Sequence, residues 1–384
     1  MSPWKGTGTG PLAGVRVVEM ATTFMGPYCA TLLAQMGAEV IKVERPGGDI
    51  ARLISDRRGH KMGPPFLNVN RGKRSVLLDL RRDEDHRTMM SLLATADVFV
   101  SNLRPAKLAT LELEYERLAE VNPGLIMASL YGFGESGPYA GKAAYDDIIQ
   151  GGSGLAAQQA DPEPAYVKSG LVDKTVGLMG ACAISAALVE RSVSGHGQAL
   201  DVPMFESMVA MNAVDQMGGL VFDPQDGEAG YPRLSSPYRK PYATKDGHIA
   251  AMVYTDRQWH AFFELIDRAE LIDAPRFRTL AERTEHTDEL YSLLENALRG
   301  RTTGEWLAEF DERDIPCLPV NSLTDLLDDE QCMATGVFEQ VDHPQEGRLR
   351  QPGLPWTYSR TPLSKASPAP ALGEHTEEIK NSLR

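Results

Sequence analysis

The sequence lacks the residue groupings that mark metal, disulfide and membrane proteins. Its four cysteines, Cys29, Cys182, Cys317 and Cys332, are widely separated and form no C-x-x-C pair, so reduced thiols are expected and neither a zinc site nor a disulfide framework is indicated. The eight histidines are equally dispersed, with none at the i, i+4 spacing of two ligands on one helix face, so no protein-bound metal is expected. No uninterrupted apolar run approaches the roughly 18 to 20 residues of a membrane-spanning helix, and the start, MSPWKGTGTGPLAG, lacks the apolar core of a signal peptide. A cytoplasmic location with no membrane partner is the expectation. Excess positive charge is missing too. The formal net charge of −14 opposes nonspecific attraction to nucleic acid, while leaving room for a local basic pocket that takes an anionic ligand.

What is present is an ordinary folded composition, 42% hydrophobic and 24% charged over 384 residues, enough for a large domain and a smaller one. From Val15 to Gly132 short β-branched runs (VRVVEM, EVIKVE, SVLLDL, DVFVSN, LIMASLYG) take turns with helical stretches. That alternation predicts an α/β fold: a parallel, helix-covered sheet that is Rossmann-like in a loose sense. After the first strand the chain reads MATTFMGPY and not G-x-G-x-x-G, so no dinucleotide or other permanently bound cofactor is expected.

Downstream, Tyr145–Gln159 and Lys174–Ser192 read as helices, followed by the turn SGHGQ, a strand ALDVPM and a helix from Phe205 to about Gly219. Gly177, Ala181 and Ser185 recur at four-residue steps with Gly180 beside them, a face without bulk that lets another backbone approach. The large domain is expected to run over 1–221 and a Gly, Pro, Ser and Asp-rich linker over 222–237. A smaller α+β domain is expected over 238–315. It opens on the hairpin pattern RKPYAT, KDG, HIAAMVY, and its helices carry the capping boxes Thr255-x-x-Gln258 and Thr302-x-x-Glu305. From Pro316 the chain turns Pro-rich and strand-poor, and 316–384 is expected to return and complete the large domain.

Candidate chemistry begins with Asp173, immediately before the apolar run KTVGLMGACAISAALVER. Its carboxylate reads either as a helix N-cap or as a nucleophile toward an activated acyl group, with helix N–H donors beside it for an oxyanion. Glu135, in the loop GFGESGP, is a turn carboxylate or a second acid facing Asp173; Asp146 reads as a cap of the helix it precedes, and His196 as a turn residue. Basic residues recur near predicted strand ends: Arg45, then Arg71, Lys73 and Arg74, then Arg104 and Lys107. They are either solvated loop charges or a nucleotide-phosphate pocket, for which Arg45 and Lys73 are the chosen candidates.

Taken in order, PLAGVRVVEMATTFMGPYCATLLAQMGAEVIKVERPGGD, NVNRGKRSVLLDL, SNLRPAKL, ASLYGFGESGPYAGKAAYDDIIQGGSGL, GLVDKTVGLMGA and SGHGQALDVPMFESM, with the late PVNSLTDLL and LGEHT, resemble the class III CoA-transferase (CaiB/BaiF) family from about Pro11 to Glu378. The resemblance implies a Rossmann-like large domain built from both chain ends, a small domain inserted late, and an interlocked homodimer of two rings. It implies an enzyme that uses acyl-CoA as substrate and passes CoA to a small carboxylic acid through an aspartyl anhydride and an aspartyl-CoA thioester. By motif, Asp173 matches the nucleophile and Glu135 a glutamate that assists it. Thr22, Thr23, Phe24, Met25, Arg45, Lys73, Asn102, Leu103, Arg104 and Met204 match positions around the CoA nucleotide. The chain departs from the pattern at Thr110, where relatives often carry a basic residue that Arg104 or Lys107 would replace, and between Ser235 and Lys245, where nothing matches the glycine-run loop of formyl-CoA transferases. Two alternatives stay in view. One is an α-methylacyl-CoA racemase, but Tyr145 stands where those relatives place a His, and tyrosine ordinarily titrates near ~10. The other is a noncatalytic CoA-binding protein.

Overall fold

The computed structural model describes Trp4 and residues 8–159, 163–363 and 365–383. The chain forms two compact units, one of residues 1–212 with 335–384 and one of 213–334.

The first unit is organised by six parallel strands: β1 (Arg16–Met20), β2 (Glu39–Glu44), β3 (Lys73–Leu77), β4 (Val98–Ser101), β5 (Ile126–Tyr131) and β6 (Ala199–Pro203), in the order β3-β2-β1-β4-β5-β6. Their side chains alternate between two cores. Val17, Val40, Val98, Val100, Ile126, Ala128 and Leu130 face one side, and Val18, Ile41, Val43, Val76, Phe99 and Met127 the other. Both faces are covered, which is why these strands read as continuous apolar runs. The helices of this unit up to β6 are α1 (Met25–Gln35), α2 (Pro64–Val69), α3 (Asp83–Leu93), α4 (Pro105–Ala109), α5 (Tyr115–Val121), α6 (Asp146–Gly152), α7 (Leu155–Gln158) and α8 (Leu171–Ser194). The first core is roofed by α1 and α8, the second by α3, α5 and the C-terminal helix Thr376–Ser382, which buries Ile379.

At 24 residues α8 is long and apolar enough to cross a membrane, yet its Val172, Val176, Ile184 and Ala187 are buried in the first core. Its glycines explain the close fit. A Cβ on Gly177 would lie 2.8 Å from the Met25 carbonyl oxygen, and one on Gly180 would lie 2.9 Å from Leu130 Cδ2.

The second unit begins inside α9 (Met204–Gln216), ahead of the expected linker over 222–237 and of residue 238. The expected linker is part of this unit and contains the short helix α10 (Pro232–Ser235). Its antiparallel sheet holds β7 (Tyr242–Ala243), β8 (His248–Ala251) and β9 (Cys317–Pro319), packed with α11 (Asp256–Leu265), α12 (Leu280–Glu285), α13 (Thr287–Leu298) and α14 (Thr303–Glu312). Trp259, Phe262, Phe263, Phe277, Trp306 and Phe310 form its core. The capping boxes at Thr255 and Thr302 are formed, and Thr279 with Glu282 makes another.

The return segment departs from its strand-poor reading. Cys317–Pro319 joins the second unit's sheet, and Phe338–His343 pairs with Gly347–Pro352 as the hairpin β10–β11, with HPQEG as its turn. Proline and glycine marked the turn correctly but hid the strands that flank it.

Candidate active site

Strand order reverses between β1 and β4, and in an open parallel sheet the crevice outside the carboxyl ends of two such strands is where ligands bind. The residues of this crevice are the β1–α1 connection, Ala21–Phe24, and the residues after β4, Asn102–Arg104. They are fastened together: Asn102 Oδ1 accepts the Thr22 N–H at 3.0 Å and its Nδ2 donates to the Thr22 carbonyl at 2.8 Å. Gly26 lets α1 start this close to the strand, since a Cβ there would lie 2.4 Å from Ala21 Cβ. Helix α1 begins without a side-chain cap at Phe24.

Beneath the crevice lies a buried, charge-balanced network. Glu19 pairs with Lys42 at 2.9 Å and with Lys73 at 2.7 Å, Lys42 also pairs with Asp49 at 3.0 Å, and Glu44 holds Arg52 through contacts of 2.7 and 2.8 Å. Glu19, Glu44 and Asp49 thus face Lys42, Lys73 and Arg52, so each buried ion has an opposite partner.

This arrangement corrects the reading of Lys73. Its ammonium is fully buried and donates to the carbonyls of Pro27 (2.8 Å) and Val69 (2.9 Å) and to Asn70 Oδ1 (2.9 Å) besides pairing with Glu19. It lies at the start of β3, not after a strand, and has no donor left for a phosphate. Burial draws its pKa down to about 8, with Glu19 opposing the shift. Met25 and Met204 are also buried in the first core, so their side chains pack there. Thr22, Thr23, Phe24, Asn102 and Leu103 are half-buried around the opening. Arg45 is exposed after β2 and makes no ion pair among the described residues, while Arg104 is exposed and donates to the Gly141 carbonyl at 2.9 Å.

Asp173 lies in the first turn of α8, whose N-cap is Gly170. The N-cap reading is therefore overturned: the helix starts three residues earlier than the apolar run suggests. Asp173 stands four residues, about 6 Å along the axis, before Gly177, on the stripe that meets Met25 at the start of α1.

The acid that faces Asp173 is Asp146, the first residue of α6. Its Oδ2 accepts the Asp173 backbone N–H at 3.0 Å, and its Oδ1 accepts from Gln150 Nε2 at 2.6 Å. The buried Gln150 is fixed in turn, with its Oε1 accepting the Val167 N–H at 2.9 Å. Asp146 therefore caps α8 from outside and not its own helix. Burial, and then the charge of Asp146, push the Asp173 carboxyl from an ordinary 3.8 up to about 6.

Glu135 does not fill this place. It sits in an exposed turn after β5 and makes no side-chain hydrogen bond among the described residues. Its charge acts on Tyr131, whose pKa is raised first by burial and then by Asp201, with Glu135 and Glu206 adding to it. Glu206 Oε1 accepts the Gly134 N–H at 3.0 Å and so fixes the glycine-rich turn.

Reading along the chain missed the roles of Asp146 and Asp49. The signal available for the buried network was the charge of Glu19, Lys42 and Glu44 inside otherwise apolar strands; nothing local marked Asp146 as a partner of a residue on another helix.

The chain was also compared with known proteins. The model of the CoA-transferase family III matches residues 12–376. The chain is 33% identical to the succinyl-CoA:glutarate CoA-transferase of Mus musculus, over 97% of this chain and 87% of that protein. It is 33% identical to the succinate–glutarate CoA-transferase of Agrobacterium fabrum, over 97% and 96%, and to the succinyl-CoA:mesaconate CoA-transferase of Haloarcula marismortui, over 96% and 96%. Among solved structures, a CaiB/BaiF family protein from Brucella suis superposes with a TM-score of 0.82 at 32% identity, over 98% of this chain and 100% of that one. An α/β unit with a six-stranded parallel sheet, relatives that are CoA-transferases and a family match across nearly the whole sequence lead to one conclusion: this chain belongs to CoA-transferase family III and is an enzyme that moves CoA between an acyl-CoA and an acid.

Proposed function

We propose that the enzyme transfers CoA between dicarboxylic acids through covalent intermediates on Asp173. The observation that carries this reading is the carboxylate pair: Asp173 is half-buried in the first turn of α8 and titrates near 6 beside Asp146. A carboxylate of that basicity is mostly ionised at neutral pH and is a better nucleophile than an ordinary aspartate.

In the first step an Asp173 oxygen attacks the thioester carbonyl and CoA leaves as thiolate, giving a mixed anhydride. The thiolate then attacks the Asp173 carbonyl, which forms the aspartyl-CoA thioester and releases the donor acid as a carboxylate. The acceptor acid repeats these steps in reverse, and Asp173 regains its charge. Each acylated form of Asp173 is neutral, so the neighbouring charge of Asp146 disfavours the free carboxylate relative to the covalent intermediates. Gln150 holds Asp146 in place for this purpose.

Arg45 and Arg104 are the cations we assign to the CoA phosphates, with Thr22, Thr23, Phe24 and Leu103 around the nucleotide. The dicarboxylate preference is supported by the acids named for the relatives, succinate with glutarate and with mesaconate. A homodimer is supported by the outward face of α8, where Leu178, Val189 and Val193 are exposed, Val193 by 88%. Tyr145 is 74% exposed and its side chain makes no hydrogen bond among the described residues, which leaves the racemase alternative without a histidine or a held base beside Asp146.

The test is to mix enzyme with succinyl-CoA, trap with hydroxylamine or borohydride, and map the modified peptide by mass. Modification at Asp173, lost together with CoA exchange in Asp173→Asn, is the expected result. Near-normal exchange by Asp173→Asn would refute the reading.

A further inference from the structure

The β1–α1 loop is tied down residue by residue. Lys42 Nζ donates to the Ala21 carbonyl at 2.8 Å, Asn102 bonds both the N–H and the carbonyl of Thr22, and Asp49 Oδ1 accepts the Thr23 N–H at 2.9 Å. The same Asp49 oxygen accepts the Ala51 N–H at 2.9 Å, while its other oxygen is on Lys42. These anchors come from β2, from the turn after it and from the residues after β4, so they are set by the fold and not by the loop's own sequence.

Inside the loop Thr23 has φ 72, in the left-handed region where a β-branched residue is strained. A connection needed only to join a strand to a helix would relax into an ordinary conformation. Here a strained one is imposed by side chains that are themselves buried or engaged, in the crevice where the strand order reverses.

We propose that Asp49 and Asn102 are positioning residues that hold Ala21–Phe24 in the shape required by acyl-CoA before the ligand arrives. The inference rests on the transferase reading above. Neither side chain takes part in the chemistry at Asp173. Their loss lets the loop leave its strained state, and the ligand must then restore it, which weakens binding without slowing the bound complex. The signature is a raised KM for acyl-CoA with kcat retained.

Glycine supplies the decisive variant, because it adopts a positive φ without steric cost. CoA-exchange kinetics and calorimetric binding of CoA would be measured for wild type, Asn102→Ala, Asp49→Asn, Thr23→Gly and the double variant Asn102→Ala/Thr23→Gly. In Asn102→Ala, KM and the Kd for CoA rise about tenfold while kcat stays within about twofold. Asp49→Asn keeps an oxygen for the Thr23 N–H and shows the smaller rise. In the double variant the Kd returns to within about threefold of Thr23→Gly alone, a rescue that a general loss of stability does not produce. Unchanged KM and Kd in Asn102→Ala, a kcat that falls with the melting temperature, or no rescue by glycine would each overturn the proposal. Failure of the underlying reading is distinguishable: wild-type enzyme would then bind CoA without exchanging it, and the calorimetric series alone decides the positioning role. Wild type that neither exchanges nor binds CoA overturns both.

Discussion

Replacing Asp173 by asparagine should abolish turnover and at the same time stabilise the fold, by an amount that depends on pH. The carboxyl titrates near 6 in the folded protein against an ordinary 3.8, chiefly because burial disfavours its charge and secondly because Asp146 repels it. Between those values the folded chain binds more protons than the unfolded one, so the contribution of Asp173 to stability falls as pH rises through this window and is constant above it. At about 1.4 kcal/mol per pH unit, the full penalty at neutral pH is about 3 kcal/mol, of which about 1 kcal/mol is already present at pH ~4.5. Asparagine has nothing to ionise and escapes the penalty. Urea unfolding of the two proteins should therefore show the variant gaining about 2 kcal/mol more over wild type at pH ~8 than at pH ~4.5. An advantage that is the same at both pH values would refute the claim that the Asp173 carboxylate is held as a disfavoured, buried charge.

Asp146→Asn removes the repelling charge, so the acidic limb of the pH profile of kcat/KM for acyl-CoA should move to lower pH; a limb that stays in place would show that burial alone sets the pKa of Asp173. Arg45→Ala should leave the urea midpoint unchanged and raise KM for acyl-CoA, whereas Lys73→Met, which removes one of the two cations on the buried Glu19 and the donor to the Pro27 carbonyl, should lose about 3 to 5 kcal/mol of stability. Gly177→Val should lower stability by about 1 to 3 kcal/mol, because even its Cβ would sit 2.8 Å from the Met25 carbonyl oxygen; the displacement of α8 should also reduce kcat, read in the same preparations by CoA exchange.

Much of this protein is legible in its sequence where the physics is local. Short apolar, β-branched runs between helical stretches marked β1 to β5, because both faces of those strands are buried. The Thr-x-x-Gln and Thr-x-x-Glu boxes appeared where written, since a cap is made by residues three apart. The small-residue stripe of α8 fitted its close approach to α1 for the same reason, as residues four apart share a helix face. Short strands among prolines, such as Cys317–Pro319, were not legible because they are defined by a partner and not by their own composition.

The site follows the same division. Asp173 and Arg45 were candidates in the sequence because their types and their places at the ends of elements are written locally, whereas the loop at Thr22–Met25 entered only through the family resemblance. Only the tertiary structure decided that Lys73 is an internal counter-ion of Glu19, that Asp146 and not Glu135 acts on Asp173, and that Asp49 and Asn102 hold the loop. Charge interactions depend on distance and burial, and folding sets both by joining residues 27, 26 or 80 positions apart, as in Asp173 with Asp146, Thr23 with Asp49 and Thr22 with Asn102. Sequence fixes which charges exist; what each one faces, and therefore what it can do, is settled when the sheet and its covering helices close around it.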